Sequence, residues 1–123
     1  MLSFPSRVRI FVASEPQDLR KGFDGLAAAT RQVIREDPLS GHLFVYLNRR
    51  RNKVKLLIWE PGGYWLLYRR LECGRFRLPQ DPPPGRRHVV MESAELALML
   101  EGIDLRGAKR RNRWEPKKTS CTG

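Results

Sequence analysis

The run HLFVYLNRRRNKVKLLIWEPGGYWLLYRRL, residues 42–71, decides the fold. Its segments HLFVYLN, KVKLLIWE and GYWLLYRRL have strand length and are rich in aliphatic and aromatic residues. RRRN and PGG separate them, and both are short enough for reversing turns, so the spacing predicts three consecutive strands in an antiparallel meander. Side-chain alternation puts Leu43, Val45 and Leu47 on one face and Phe44 and Tyr46 on the other. In the next strand Val54, Leu56 and Ile58 oppose Lys53, Lys55, Leu57 and Trp59. One sheet face is therefore aliphatic, and the other mixes aromatic rings with lysine.

Toward the N-terminus, RVRIFVAS at residues 7–14 alternates as a first strand, with Val8, Ile10 and Val12 on one side. EPQD breaks it, and Asp18 is placed to cap a helix. From Leu19 the set Leu19, Phe23, Leu26, Ala27, Thr30, Val33 and Ile34 recurs at steps of three and four, the spacing of an amphipathic helix. Gly22 and Gly25 each weaken that helix by up to about 1 kcal/mol, a cost that close approach of another backbone would explain. Toward the C-terminus, RFRLPQDPPPGRR reads as an extended, polyproline-like crossing and HVVM as a short strand. Glu92 or Ser93 then opens a helix whose stripe is Leu96, Met99, Leu100 and Ile103, with Gly102 as its stop. The expected class is α+β: a small antiparallel meander of four to five strands, packed by one long N-terminal amphipathic helix and one short C-terminal helix. Residues 1–105 form a single domain in this reading. Residues 106–123 carry seven basic side chains and one acid, and read as a disordered basic tail.

With 123 residues and 41% hydrophobic content, the chain suits one core, which buries roughly two-thirds of the unfolded surface. Twenty-four Lys and Arg against 13 Asp and Glu give a net charge of +11, which favours polyanionic partners, nucleic acid before an anionic membrane. No apolar run approaches the ~20 residues that cross a bilayer, and no signal-peptide core is visible, so a soluble cytoplasmic protein without a membrane partner is expected. Cys73 and Cys121 are too few for a disulfide framework or a CxxC metal site, and free thiols are expected.

Enzymatic constellations are scarce. His42 and His88 are isolated among apolar neighbours and read as structural or surface residues. There is no GxSxG, no HExxH and no phosphate-binding glycine loop. Asp18, Asp24, Glu36, Asp37 and Glu60 are scattered over caps, helix surface and turns rather than gathered for two-metal chemistry. No catalytic residue, cofactor or metal is expected.

What remains is basic and aromatic: residues 49–87 hold eleven Lys and Arg and three acids. Cations at backbone spacing suit phosphates, and flat rings suit unpaired bases. The candidate nucleic-acid contacts are Arg49, Arg50, Arg51, Lys53 and Lys55 on the first hairpin, with Arg69, Arg70, Arg75 and Arg77 after the third meander strand. Lys109, Arg110, Arg111 and Arg113 in the tail complete the set. Phe44, Tyr46, Trp59 and Tyr64 would form a stacking platform if their face stayed open.

The blocks DLRKGFDGLAA (18–28), DPLSGHLFVYLNRRRNKVKLLIWEPGGYWLLYRRLECGRF (37–76) and LALMLEGIDL (96–105) resemble the TnpB-type accessory proteins encoded by the second open reading frame of IS66-type insertion sequences. This is not the RNA-guided nuclease family that shares the name. The chain departs from the pattern at Cys73, where a basic residue is usual, and at Leu78, where tryptophan is favoured. The resemblance implies a small bacterial protein of a mobile element that acts beside a separately encoded transposase. The expected function is a non-catalytic transposition factor that binds DNA, for instance the transposon ends, through its basic hairpin and tail. The alternative is a subunit that docks on the transposase, or on other proteins of the element, without touching DNA. Oligomeric state and strand order are left open.

Overall fold

The computed structural model describes residues 5, 7–78 and 80–102. A five-stranded sheet is formed by β1 (Ile10–Ala13), β2 (Leu43–Leu47), β3 (Lys53–Glu60), β4 (Gly63–Arg70) and β5 (His88–Met91), in the order β4-β3-β2-β1-β5. The meander β2-β3-β4 is antiparallel with the expected register parity: Val45 faces Leu56 and Tyr46 faces Lys55. The remainder departs from a pure antiparallel meander. β1 pairs with β2 in parallel, Phe11 opposite Phe44, and β5 lies antiparallel on the far side of β1. The chain must travel back along the sheet between β1 and β2, and the intervening helix makes that crossover.

Both faces are covered. On the aliphatic face Ile10, Val12, Leu43, Val45, Val54 and Leu56 pack under Phe76, Leu78 and the helix α2 (Ser93–Leu100), which contributes Leu96 and Met99. α2 opens with a reciprocal pair in which Glu92 and Glu95 each take the other's backbone N–H, satisfying two donors of the first turn. Gly102, at φ 79°, follows its last turn as expected. On the other face Phe11, Phe44, Tyr46 and Leu57 pack under α1 (Phe23–Ala29), which contributes Leu26, Ala27 and Ala29.

The expected long N-terminal helix is not formed. Extended backbone at Gly22 starts α1 four residues late, and Asp18 instead closes a tight turn by accepting from the N–H and guanidinium of Arg20. That pairing holds the exposed Asp18 carboxyl down at about 2. A side chain at Gly25 would first meet Lys21 on its own segment, and nothing lies within 4 Å of the Cβ position at Gly22, so these glycines do not serve close backbone approach. After seven residues α1 widens into a π-helical turn, Thr30–Ile34, where the Arg35 N–H reaches Thr30 O at 2.8 Å. The cause is Thr30, fully buried, whose hydroxyl bonds Leu26 O at 2.9 Å and also the Tyr46 hydroxyl. Burial drives the Tyr46 phenol well above its ordinary range, so its proton stays in this link. Thr30→Val strands the Tyr46 hydroxyl, and we expect a loss of about 1–3 kcal/mol in urea denaturation.

Phe44 and Tyr46 are completely buried beneath this helical segment, which removes them as a stacking platform; Trp59 and Tyr64 are half-buried beside them. Cys73 stands in a disulfide, where the sequence suggested a free thiol; the other cysteine, Cys121, lies outside the described residues. Among the described residues no helix is long and apolar enough to cross a membrane.

Candidate nucleic-acid interface

The arginine run sits in a five-residue loop whose geometry is set by the two asparagines that bracket it. Asn48 Oδ1 accepts from the backbone N–H groups of Asn52 and Lys53 at 3.1 and 3.0 Å, and Asn48 Nδ2 donates to Asn52 Oδ1 at 2.7 Å. The Arg51 N–H also returns to Asn48 O at 3.0 Å. With the backbone needs of the loop met internally, Arg49 and Arg50 stand exposed at its tip. Arg51 sits at φ 57°, a conformation that costs an L-residue about 1–2 kcal/mol and that glycine would adopt freely. Arg51→Gly should therefore stabilise the fold by about 0.5–1 kcal/mol in thermal unfolding while removing one cation from the tip.

A second segment is brought to the same place. After β4 the chain turns under the hairpin: the Leu71 N–H donates to Asn52 O at 2.7 Å and the Phe76 N–H to Arg51 O at 2.6 Å. Phe76 is fully buried in the aliphatic core, so this strap is anchored by a side chain as well as by backbone bonds. It carries Arg75 and Arg77, both exposed. The β3–β4 register adds Arg69 opposite Val54 and Arg70 opposite Lys53. Loop, strand end and strap thus place Arg49, Arg50, Arg51, Lys53, Arg69, Arg70, Arg75 and Arg77 at one end of the sheet. Glu72 is the single acid in residues 66–78, and it holds Arg70 at 2.7 Å in an exposed pair worth little. Glu60, at the far end of β3, is roughly 23 Å away along the strand.

Lys55 does not belong to this surface. It is 9% exposed; its ammonium donates to Lys21 O at 3.0 Å and lies 5.0 Å from the centre of the Tyr68 ring, a structural role beneath the start of α1. Lys109, Arg110, Arg111 and Arg113 lie outside the described residues. The sequence reading missed the asparagine clamp, for which the Asn-Arg-Arg-Arg-Asn bracket was the available signal. The sequence also left undecided which rings stay outside; the exposed large aromatics of the sheet are Trp65, at 57%, and Tyr68, at 56%, both on β4.

The other end of the sheet offers an open groove of 770 Å³ lined by Arg7, His42, Ile58, Trp59, Glu60 and Trp65, among others. Its polar groups are engaged structurally: His42 Nδ1 accepts the Arg9 N–H at 2.9 Å, and Glu60 accepts the Trp65 indole N–H at 3.0 Å. His88 is buried against Phe11, and burial lowers its pKa, the positive charge of Arg86 adding to the effect. Among the described residues no three His, Cys, Asp or Glu side chains gather as a metal ion would need.

Comparison with known proteins places the chain in a family. A match to the IS66 Orf2 like proteins spans residues 8–110. The chain belongs to the IS66 Orf2 like family. It is 33% identical over 117 residues to the uncharacterized protein y4jC of Sinorhizobium fredii, covering 94% of this chain and 97% of that one. It is 34% identical over 119 residues to the uncharacterized protein y4hO of the same organism, covering 96% and 98% respectively. No solved structure matches. IS66 Orf2 like proteins are products of insertion sequences, so the chain is an accessory protein of such an element.

Proposed function

We propose that the protein is a non-catalytic transposition factor that grips DNA phosphates with the cationic end of its sheet. What supports this reading is the convergence of three separate segments there: the clamped arginine loop, the end of β4 and the strap fixed by Phe76. Evenly spread surface charge would keep a protein soluble, whereas several cations on rigid elements at one end create a field that attracts and orients a polyanion. Arg49, Arg50, Arg51, Lys53, Arg69 and Arg75 have no side-chain ion pair among the described residues, so a phosphate meets them without breaking an internal bond. Rigid presentation also limits the side-chain and loop ordering cost of binding.

In a mobility-shift titration with duplex DNA carrying the element's ends, the protein shifts the duplex at ~50 mM salt and releases it as salt rises. Absence of any shift at that salt overturns the proposal. Co-purification with the element's transposase separates the docking alternative: loss of the transposase on charge reversal at Arg49, Arg50 and Arg51, with DNA affinity unchanged, assigns the arginines to a protein partner instead.

A further inference from the structure

β4 forms one edge of the sheet and, among the described residues, pairs with β3 alone. Soluble proteins blunt such edges with short strands, charged side chains, prolines, bulges or inward-pointing charges, and β4 carries its charges, Arg69 and Arg70, only at its last two positions. This one runs eight residues without proline and leaves Trp65 and Tyr68 more than half exposed.

The phase of its hydrogen bonds is fixed by the strap. The Leu71 N–H donates to Asn52 O, and continuing the β3–β4 register makes residues 71, 69, 67, 65 and 63 the ones that bond to β3. The N–H and C=O groups of Tyr64, Leu66, Tyr68 and Arg70 therefore point to the open side. The side-chain pattern is self-complementary about Leu67: two aromatics, Tyr64 and Trp65, precede it by three and two positions, and two arginines, Arg69 and Arg70, follow it by two and three.

We propose that β4 pairs antiparallel with β4 of a second copy of this chain, with the two-fold axis passing at Leu67. In that register Tyr64 faces the second copy's Arg70, and both belong to the outward-bonding set, so the free N–H and C=O groups pair. Trp65 faces the second copy's Arg69 on the opposite sheet face. Each guanidinium thus meets an aromatic ring, an attraction that repeats by symmetry and that no other register of this strand provides at both positions. Arg69 has no ion pair of its own among the described residues, and the exposed Arg70–Glu72 pair is a weak competitor. Given the DNA reading above, such a pair commits Arg69 and Arg70 to ring contacts and presents two phosphate grips, built on the arginine loops and straps, at opposite ends of the joined strands. The pairing does not depend on that reading and is tested without DNA.

Sedimentation equilibrium of the full chain should give a concentration-dependent mass that rises to twice 14.3 kDa. Trp65→Arg sets like charges opposite each other at two symmetric positions and should raise the dissociation constant at least ~10-fold. Arg69→Glu alone, at an exposed side chain, removes the same contacts and should also weaken the dimer. Combining Trp65→Arg with Arg69→Glu places opposite charges face to face and should restore the dissociation constant to within ~3-fold of the parent, a rescue that misfolding cannot mimic. A chain that stays monomeric up to ~1 mM, single substitutions without effect, or a double variant no better than the singles overturns the proposal.

Discussion

Replacing Arg49, Arg50 and Arg51 together by alanine is expected to lower the affinity for duplex DNA about 500-fold at ~0.1 M salt. Each phosphate contact contributes about 0.9 to the slope of log K against log salt, hence about 0.9 log units at that salt; three contacts give about 2.7. The fold should survive. Arg49 and Arg50 are exposed, Arg51 is half-buried, and the backbone bonds of the loop come from Asn48 and Asn52 rather than from the arginines. Denaturation should therefore move by no more than about 0.5 kcal/mol, as for surface sites, so that lost affinity cannot be ascribed to unfolding. A loss below ~10-fold would mean that the hairpin is a solvated turn and that DNA, if bound, is held elsewhere.

The second large effect is on stability. Phe76→Ala empties a fully buried site in the aliphatic core and should cost about 3–5 kcal/mol, a large share of the ~5–15 kcal/mol available to a domain of this size. The side-chain anchor of the strap goes with it, leaving the backbone bonds alone to hold residues 71–78. The Phe76 N–H to Arg51 O bond holds Arg75 and Arg77 under the arginine loop, so a variant that still folds should also bind DNA more weakly than its stability alone explains. Phe76→Leu keeps most of the volume and should cost under about 1.5 kcal/mol, with the strap in place. Guanidinium denaturation of the two variants checks the contrast; equal and small losses would show that residues 71–78 are held by something other than this ring.

What the sequence made legible was local. Period-two alternation correctly divided residues 43–47 and 53–59 between an aliphatic and an aromatic face, because the period of a strand does not depend on where the strand lies. Glu92 as a start and the Leu96 and Met99 stripe marked α2 for the same reason, whereas the reciprocal pair with Glu95 emerged only in the structure. The parallel pairing of β1 with β2 was announced only indirectly, by the strand-helix-strand order of residues 10–47; the meander that follows it suggested a simpler sheet. Asp18 read as a helix cap because the turn it closes with Arg20 uses the same acceptor chemistry as a cap.

The candidate site was half legible. Cations in the loop and after β4 are visible as composition, but their convergence depends on Phe76 reaching Arg51, 25 positions earlier in the chain, and no periodicity reports such a contact. Lys55 shows the converse error. By spacing it belongs with the arginines, yet its ammonium is consumed by the carbonyl of Lys21, 34 residues away, and by the Tyr68 ring. Whether the aromatic face is open or covered was undecided in the sequence for a tertiary reason: β4 is an edge strand, so Trp65 and Tyr68 remain outside while Phe44 and Tyr46, on the inner strand β2, are covered.

If the cationic end of the sheet neutralises DNA phosphates, the salt dependence of binding counts them directly. Fluorescence anisotropy of a labelled duplex, titrated between ~50 and ~300 mM salt, should give a slope of log K against log salt near −4.5, the value for about five phosphates. The triple alanine variant at Arg49, Arg50 and Arg51 should give about −1.8, three contacts fewer. A slope that is the same for both proteins, or near zero for the parent, would mean that the arginine loop does not hold DNA phosphates.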